Sequence, residues 1–137
     1  MDKVLNYLAL ARKAGKAELG EEPVGAAARA LHAHLIVVAS DASDHTWRRA
    51  KSFAAGTHQQ CVRLPYTKDE MGFVTGRQAL AIAAVTDAGM ALAMVQSLGQ
   101  PEKYQAVIEA LTERVNRLNR RQAEAKAHQR NIRKGKK

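Results

Sequence analysis

The sequence predicts an α/β fold: a three-layer α/β/α sandwich with a small mixed or parallel sheet, followed by a C-terminal amphipathic helix and a basic tail. Three observations carry this. Short β-branched runs alternate with helical periodicity, as helix-covered sheets require. Glycines fall where helices should stop, at Gly15, Gly56, Gly76 and Gly99. The 137 residues are 46% hydrophobic but only 4% aromatic, which suits aliphatic layers in close helix-on-sheet packing.

Val4, Leu5, Leu8 and Ala11 keep helical spacing, and Gly15 supplies the left-handed cap, so helix one ends near Ala14. A loop from Lys16 to Glu22 leads to a second helix with Pro23 in its first turn, running to about His32. Leu35 to Ala39 is a continuous apolar run, the pattern of a strand buried on both faces. Ser43 or Asp44 can cap a third helix from about His45 to Ala55, and Cys61 to Leu64 reads as a second strand. Thr67 and Glu70 form a capping box for a short helix to about Thr75. Leu80 to Thr86 is the third strand, Asp87 to Gly89 a turn, and Met90 to Leu98 a helix closed by Gly99 and Pro101. The expected order is α-α-β-α-β-α-β-α.

Tyr104, Val107, Ile108, Leu111, Val115 and Leu118 extend helical spacing over four turns, which predicts an amphipathic helix over 102–119. Beyond it the apolar stripe gives way to Arg120, Arg121, Lys126, Arg130, Arg133, Lys134, Lys136 and Lys137. Residues 120–137 are expected to be a basic, disordered tail. The division is therefore a domain over 1–101, a helix over 102–119 and that tail.

The formal net charge of +9 favours a polyanionic partner. Residues 1–101 hold 11 Lys and Arg against 9 Asp and Glu, whereas 102–137 hold 11 against 4. Most of the excess thus lies in the C-terminal segment. One cysteine, Cys61, excludes an intramolecular disulfide and suggests a reducing compartment. The N-terminal apolar stretch is broken by Asn6, Tyr7 and Arg12, without a cleavage-like site, and no segment has the roughly 20 apolar residues of a membrane span. A cytoplasmic location with no membrane partner is expected.

Three loops could form a site. Gly15 to Glu22 leads into a helix N-terminus, where backbone N–H groups can face a phosphate or base edge, with Lys16 adding charge. The alternative is a plain turn whose Glu21 and Glu22 complement the helix dipole. Ala39 to Thr46 follows the first strand and gathers Asp41, Ser43 and His45, residue types that also invite a hydrolase reading. No oxyanion-hole pattern accompanies them and Ser43 is explained as a cap, so no enzyme activity is expected. Asp87 to Met90 could line the same rim, although taken alone a simple strand-to-helix turn with Asp87 as cap fits better. His32 and His34 lack metal-ligand spacing, and neither metal nor cofactor nor small-molecule substrate is expected. Trp47 could stack on a base, although a core role fits better; Arg48, Arg49 and Lys51 read as a solvated face.

Taken together, LALARKAGKAELGEE, LIVVASDASDHT and MGFVTGRQALAIAAVTDAGMA resemble the L-seven-Ae/L-thirty-e superfamily of ribosomal and kink-turn RNA-binding proteins, and within it the bacterial YlxQ type. The resemblance covers nearly all of residues 1–98. It implies an α/β/α sandwich that binds RNA through the loop entering helix two, at Gly20, Glu21 and Glu22 with Lys16 before them, aided by Asp87 to Met90 including Gly89. Asp41 and Ser43 match the family's loop after the first strand. Kink-turn readers present Gly-x-Asn-Glu and then a lysine one turn on; Glu22, Pro23 and Ala26 stand at those positions here. Each base-edge contact so removed is worth about 1–3 kcal/mol. RNA of another shape, read more weakly, remains compatible. Arg117, Arg120 and Arg121 would compensate by gripping phosphates without reading sequence.

The function expected is therefore a ribosome-associated, ribosomal-protein-like binder of structured RNA, as a monomer. The alternative is a protein-interaction or regulatory module, docking or dimerising through the C-terminal helix.

Overall fold

The computed structural model describes residues 2–135, with side chains through residue 130. Lys136 and Lys137, and the side chains of Arg133 and Lys134, lie outside this description. The elements are α1 (Lys3–Lys13), β1 (Ala17–Leu19), α2 (Glu21–Arg29), β2 (Leu35–Val38), α3 (Asp44–Ala54), β3 (Gln60–Arg63), α4 (Lys68–Val74), β4 (Ile82–Val85), α5 (Ala88–Gln96) and α6 (Gln105–Gly135). The α/β sandwich is as predicted, with a mixed four-stranded sheet in the order β1-β4-β2-β3.

Alternation along the strands divides the core. Leu35, Val37, Ala83 and Val85 face one way, onto residues of α1, α4, α5 and α6. Ile36, Val38, Ile82 and Ala84 face the other, onto α2 and α3. Successive strand side chains point to opposite faces, so these unbroken apolar runs need helices on both sides. On the thinner side, α2 and α3 approach so closely that a Cβ on Gly25 would meet the Phe53 ring at 3.1 Å.

Most helix ends follow the local signals. Ser43 Oγ accepts from the Thr46 N–H at 3.2 Å and caps α3. Thr67 and Glu70 form the full capping box of α4. Gly15, Gly56 and Gly76 take positive φ just beyond α1, α3 and α4.

Four expectations are corrected. The Lys16–Glu22 loop contains β1, whose pairing partner β4 lies more than sixty residues away. Helix two ends at Arg29, three residues short of His32. Helix α5 starts at Ala88, two residues before Met90, with Asp87 as its N-cap as the strand-to-helix reading of that loop expects, its Oδ2 accepting from the Met90 N–H at 2.9 Å. Finally, α6 begins at Gln105 and runs unbroken to Gly135, through the segment expected to be irregular. Residues 120–134 contain neither Gly nor Pro and are rich in Ala, Arg, Lys, Glu and Gln, all strong helix formers. No helix among the described residues is long and apolar enough to cross a membrane.

Candidate functional site

The direction of β4 decides which loops meet. It runs antiparallel to both neighbours, pairing Leu19 with Ala83 and Val38 with Ile82, while β2 and β3 are parallel. The carboxyl ends of β1, β2 and β3 therefore share one end of the sheet with the start of β4. The carboxyl end of β4 lies at the other, a strand length of about 13 Å away.

The first end carries Gly20, Glu21, Glu22 and Asp41. Gly20 adopts φ 95°, a conformation other residues rarely take, and its N–H donates to the Ile82 carbonyl at 3.0 Å. It starts α2 with no side-chain cap. A Cβ on Gly20 would lie 3.5 Å from an Arg77 guanidinium nitrogen, so Arg77 lies close beside the bare backbone. Arg77 leaves α4 through Gly76, at φ 73°, and a Cβ there would lie 3.5 Å from the guanidinium of Arg12 on α1. Among the described residues, no carboxylate forms an ion pair with Arg12 or Arg77. Two arginines thus flank two glycines beside a helix start, where the dipole also favours negative charge.

Gly72 holds this loop in place. Its carbonyl accepts from the N–H of Thr75 at 3.1 Å and of Arg77 at 2.8 Å, and the returning chain passes against its Cα. Phe73, in the last turn of the same helix, is 80% exposed. Sequence reasoning missed Arg12, Arg77 and Phe73. Gly76 was legible as a helix stop, but nothing local shows that Arg77 stands beside Gly20.

Other expected contacts are already taken within the chain. Glu21 is held by Arg49 of α3 at 2.9 Å and lies 3.9 Å from His45. Glu22 is exposed and forms no ion pair among the described residues. Asp41 Oδ1 accepts from the Lys68 N–H at 2.8 Å, reinforcing the start of α4. Asp41, Ser43 and His45 thus turn to three different partners. Pro23 and Ala26 line a shallow groove of about 580 Å³ with Glu18, Ala27, His32 and Thr86, which includes a carboxylate and no Lys or Arg. Trp47 has Arg63 and Lys51 over its ring, at 4.9 and 5.4 Å, so its partners are cations of this chain. Burial pushes the Cys61 thiol up to about 12, far from a reactive thiolate.

Lys16, Asp87 and Gly89 occupy the opposite end of the sheet, where the Thr86 N–H donates to the Lys16 carbonyl at 2.8 Å. The structure therefore does not bring them together with Gly20. The ligand rule for carboxyl strand ends assumes parallel strands, and β4 is reversed.

The inner half of α6, with Tyr104 just before it, completes the core: Tyr104 and Leu111 are buried, and Val107 and Ile108 pack beside them. The helix runs antiparallel to β3, from Tyr104 beside Leu64 and Pro65 to Arg114 beside His58 and Gln60. Arg114 lines the same groove as His58, whose ring pairs with that of His34 at 5.6 Å between centroids. Burial, then the positive charge of Arg114, hold both imidazoles below the usual histidine range. Arg117 pairs with Glu113 at 3.2 Å, while Arg120 and Arg121 are exposed. These three arginines belong to the Lys16 end. Among the described residues no group of three or more His, Cys, Asp or Glu is placed to hold a metal ion.

No protein-family model matches the chain, and a search of curated proteins finds none similar. Solved structures do share the fold. A protein of unknown function from Bacillus halodurans superposes with a TM-score of 0.67 at 23% identity, over 72% of this chain and 99% of its own. A 15.5 kD RNA-binding protein of Giardia lamblia superposes with a TM-score of 0.58 at 14% identity, over 78% of this chain and 85% of its own. At these identities the likeness establishes a common α/β fold, and the Bacillus protein leaves more than a quarter of this chain without a counterpart.

Proposed function

We infer that the protein binds structured RNA stoichiometrically, without catalysis, through the end of the sheet where Arg12 and Arg77 flank Gly20 and Gly76. The carrying observation is that arrangement: the guanidinium groups of two exposed arginines, without carboxylate partners among the described residues, beside half-buried Gly20 at the start of α2 and exposed Gly76. Guanidinium groups suit phosphates, glycine admits close approach, and a helix start adds N–H donors. The fold shared with the Giardia RNA-binding protein and the net charge of +9 support the same reading.

The finer reading follows the sequence resemblance: a cytoplasmic, bacterial YlxQ-type relative of the L-seven-Ae proteins, acting on kink-turn-like RNA in association with the ribosome. Because Glu21 is engaged by Arg49, and Glu22, Pro23 and Ala26 lack the amide and lysine of kink-turn readers, phosphate positioning by Arg12 and Arg77 outweighs base readout in this proposal. A docking role for the apolar stripe of α6 is the weaker alternative, since its larger part, Tyr104 to Leu111, is spent on the protein's own core.

The test is RNA binding at two salt concentrations, with a kink-turn hairpin and an unbent duplex, for the full chain and for R12A/R77A. The reading expects preference for the bent RNA and its loss in the variant. Equal binding of both RNAs by the two proteins would overturn it.

A further inference from the structure

We propose that the protein holds two separate RNA segments at once, one at the Gly20 end and one along the exposed outer half of α6. This rests on the RNA-binding reading above and adds a second site and a geometry to it.

The two surfaces point away from each other. From Tyr104, level with the carboxyl end of β3, α6 descends past Arg114 at the opposite end of the sheet and continues beyond it. At 1.5 Å per residue, Arg120 lies about 24 Å and Arg130 about 39 Å along the helix axis from the level of Tyr104. Residues 119–130 are all exposed and make none of the core contacts of the inner half. A compact bent RNA seated on Arg12 and Arg77 would have to travel the whole length of the sheet to reach Arg120.

The outer helix has the chemistry of a phosphate-binding surface. Arg120, Arg121, Lys126 and Arg130 face a single acid, Glu124, within residues 119–130. None of these forms an ion pair among the described residues. A second copy of this chain fits less well. The positions continuing the Val107–Leu111–Leu118 stripe are Gln122, Ala125 and Gln129, which cannot build a coiled-coil seam, and the cations would repel across it. A helix presented ready-formed also loses less entropy on binding than a disordered tail would.

The experiment mixes the full chain with two short hairpins carrying a donor and an acceptor dye, and follows energy transfer, RNA-to-protein stoichiometry and protein mass by light scattering. The proposal expects two hairpins per monomer and protein-dependent energy transfer. R12A/R77A and R120A/R121A/K126A should each reduce the stoichiometry to one and abolish the transfer. One hairpin per protein in the wild type, or loss of all binding in either variant, overturns the two-segment proposal while leaving RNA binding standing. Energy transfer arising only in a protein dimer also overturns it. Absence of any salt-dependent RNA binding overturns the RNA reading itself, and this proposal with it.

Discussion

Replacing Gly72 with alanine tests the link between the fold and the proposed site. A Cβ at this position would stand 2.8 Å from the Arg77 carbonyl oxygen and 2.9 Å from both the nitrogen and Cα of Ala79. Ordinary contacts of this kind begin near 3.4 Å, and all three neighbours are backbone, so the whole Gly76–Ala79 loop must retreat. Forced overpacking costs about 1–3 kcal/mol. The retreat also strains the 2.8 Å bond from the Arg77 N–H to the Gly72 carbonyl, worth about 0.5–1.5 kcal/mol. Against this, alanine gains up to about 1 kcal/mol of helix propensity over glycine. The expected balance is a loss of about 1–3 kcal/mol, read as a lower urea midpoint at unchanged slope. RNA affinity should fall as well, because Arg77 moves from its place beside Gly20. G56A is the control: nothing lies within 4 Å of its new Cβ, φ is 73°, and left-handed backbone alone costs about 1–2 kcal/mol. It should lose stability but keep RNA affinity, since Gly56 precedes β3 at the far end of the sheet. A G72A protein as stable as the wild type, with unchanged RNA binding, would refute the reasoning.

F73A should leave stability within about 0.5 kcal/mol, because the ring is exposed, yet weaken RNA binding by the roughly 1–3 kcal/mol of a base stack, measured by fluorescence anisotropy. E21Q removes a partly exposed ion pair and should cost about 0–1 kcal/mol; RNA affinity should hold or rise, whereas a fall would make Glu21 a direct RNA contact. L111A should cost about 2–5 kcal/mol in denaturant titration, while truncation after residue 118 should leave the midpoint of the core unchanged. The histidine pair should make the fold acid-sensitive. His34 faces Arg114, His58, His32 and Asp87, and His58 faces Arg114 and Arg117, so folding holds both below the ordinary 6.5. The unfolded chain then binds more protons, and stability is full above about pH 6.5 and declines as pH falls below it. Thermal melts from pH 7.5 to 5 should show this decline, and H34N/H58Q should flatten it.

Features set by near neighbours were legible from the chain alone. Ser43 with Thr46, Thr67 with Glu70, and Gly15 just beyond the apolar spacing of α1 are contacts within a single turn, so residue type and spacing suffice to place them. The buried run Leu35–Val38 and the stripe from Tyr104 to Leu118 were equally readable, since one period identifies a strand covered on both faces and another a helix with one apolar side. Charge composition pointed to a polyanion and placed the cationic excess in the last quarter of the chain.

What tertiary structure alone decided was direction and meeting place. The segment Ala17–Leu19 has no β-branched residue and becomes a strand only because β4 offers an edge to pair with. Residues 82–85 read the same whether they run parallel or antiparallel, yet that choice separates Lys16, Asp87 and Gly89 from Gly20, Glu21 and Asp41. The same geometry brings Arg12 and Arg77, 65 positions apart, beside glycines whose missing side chains leave them room. Cap and period are local free-energy preferences written in adjacent residues. Strand direction and the convergence of distant cations depend on how whole layers bury their apolar faces together, a property of the assembled core.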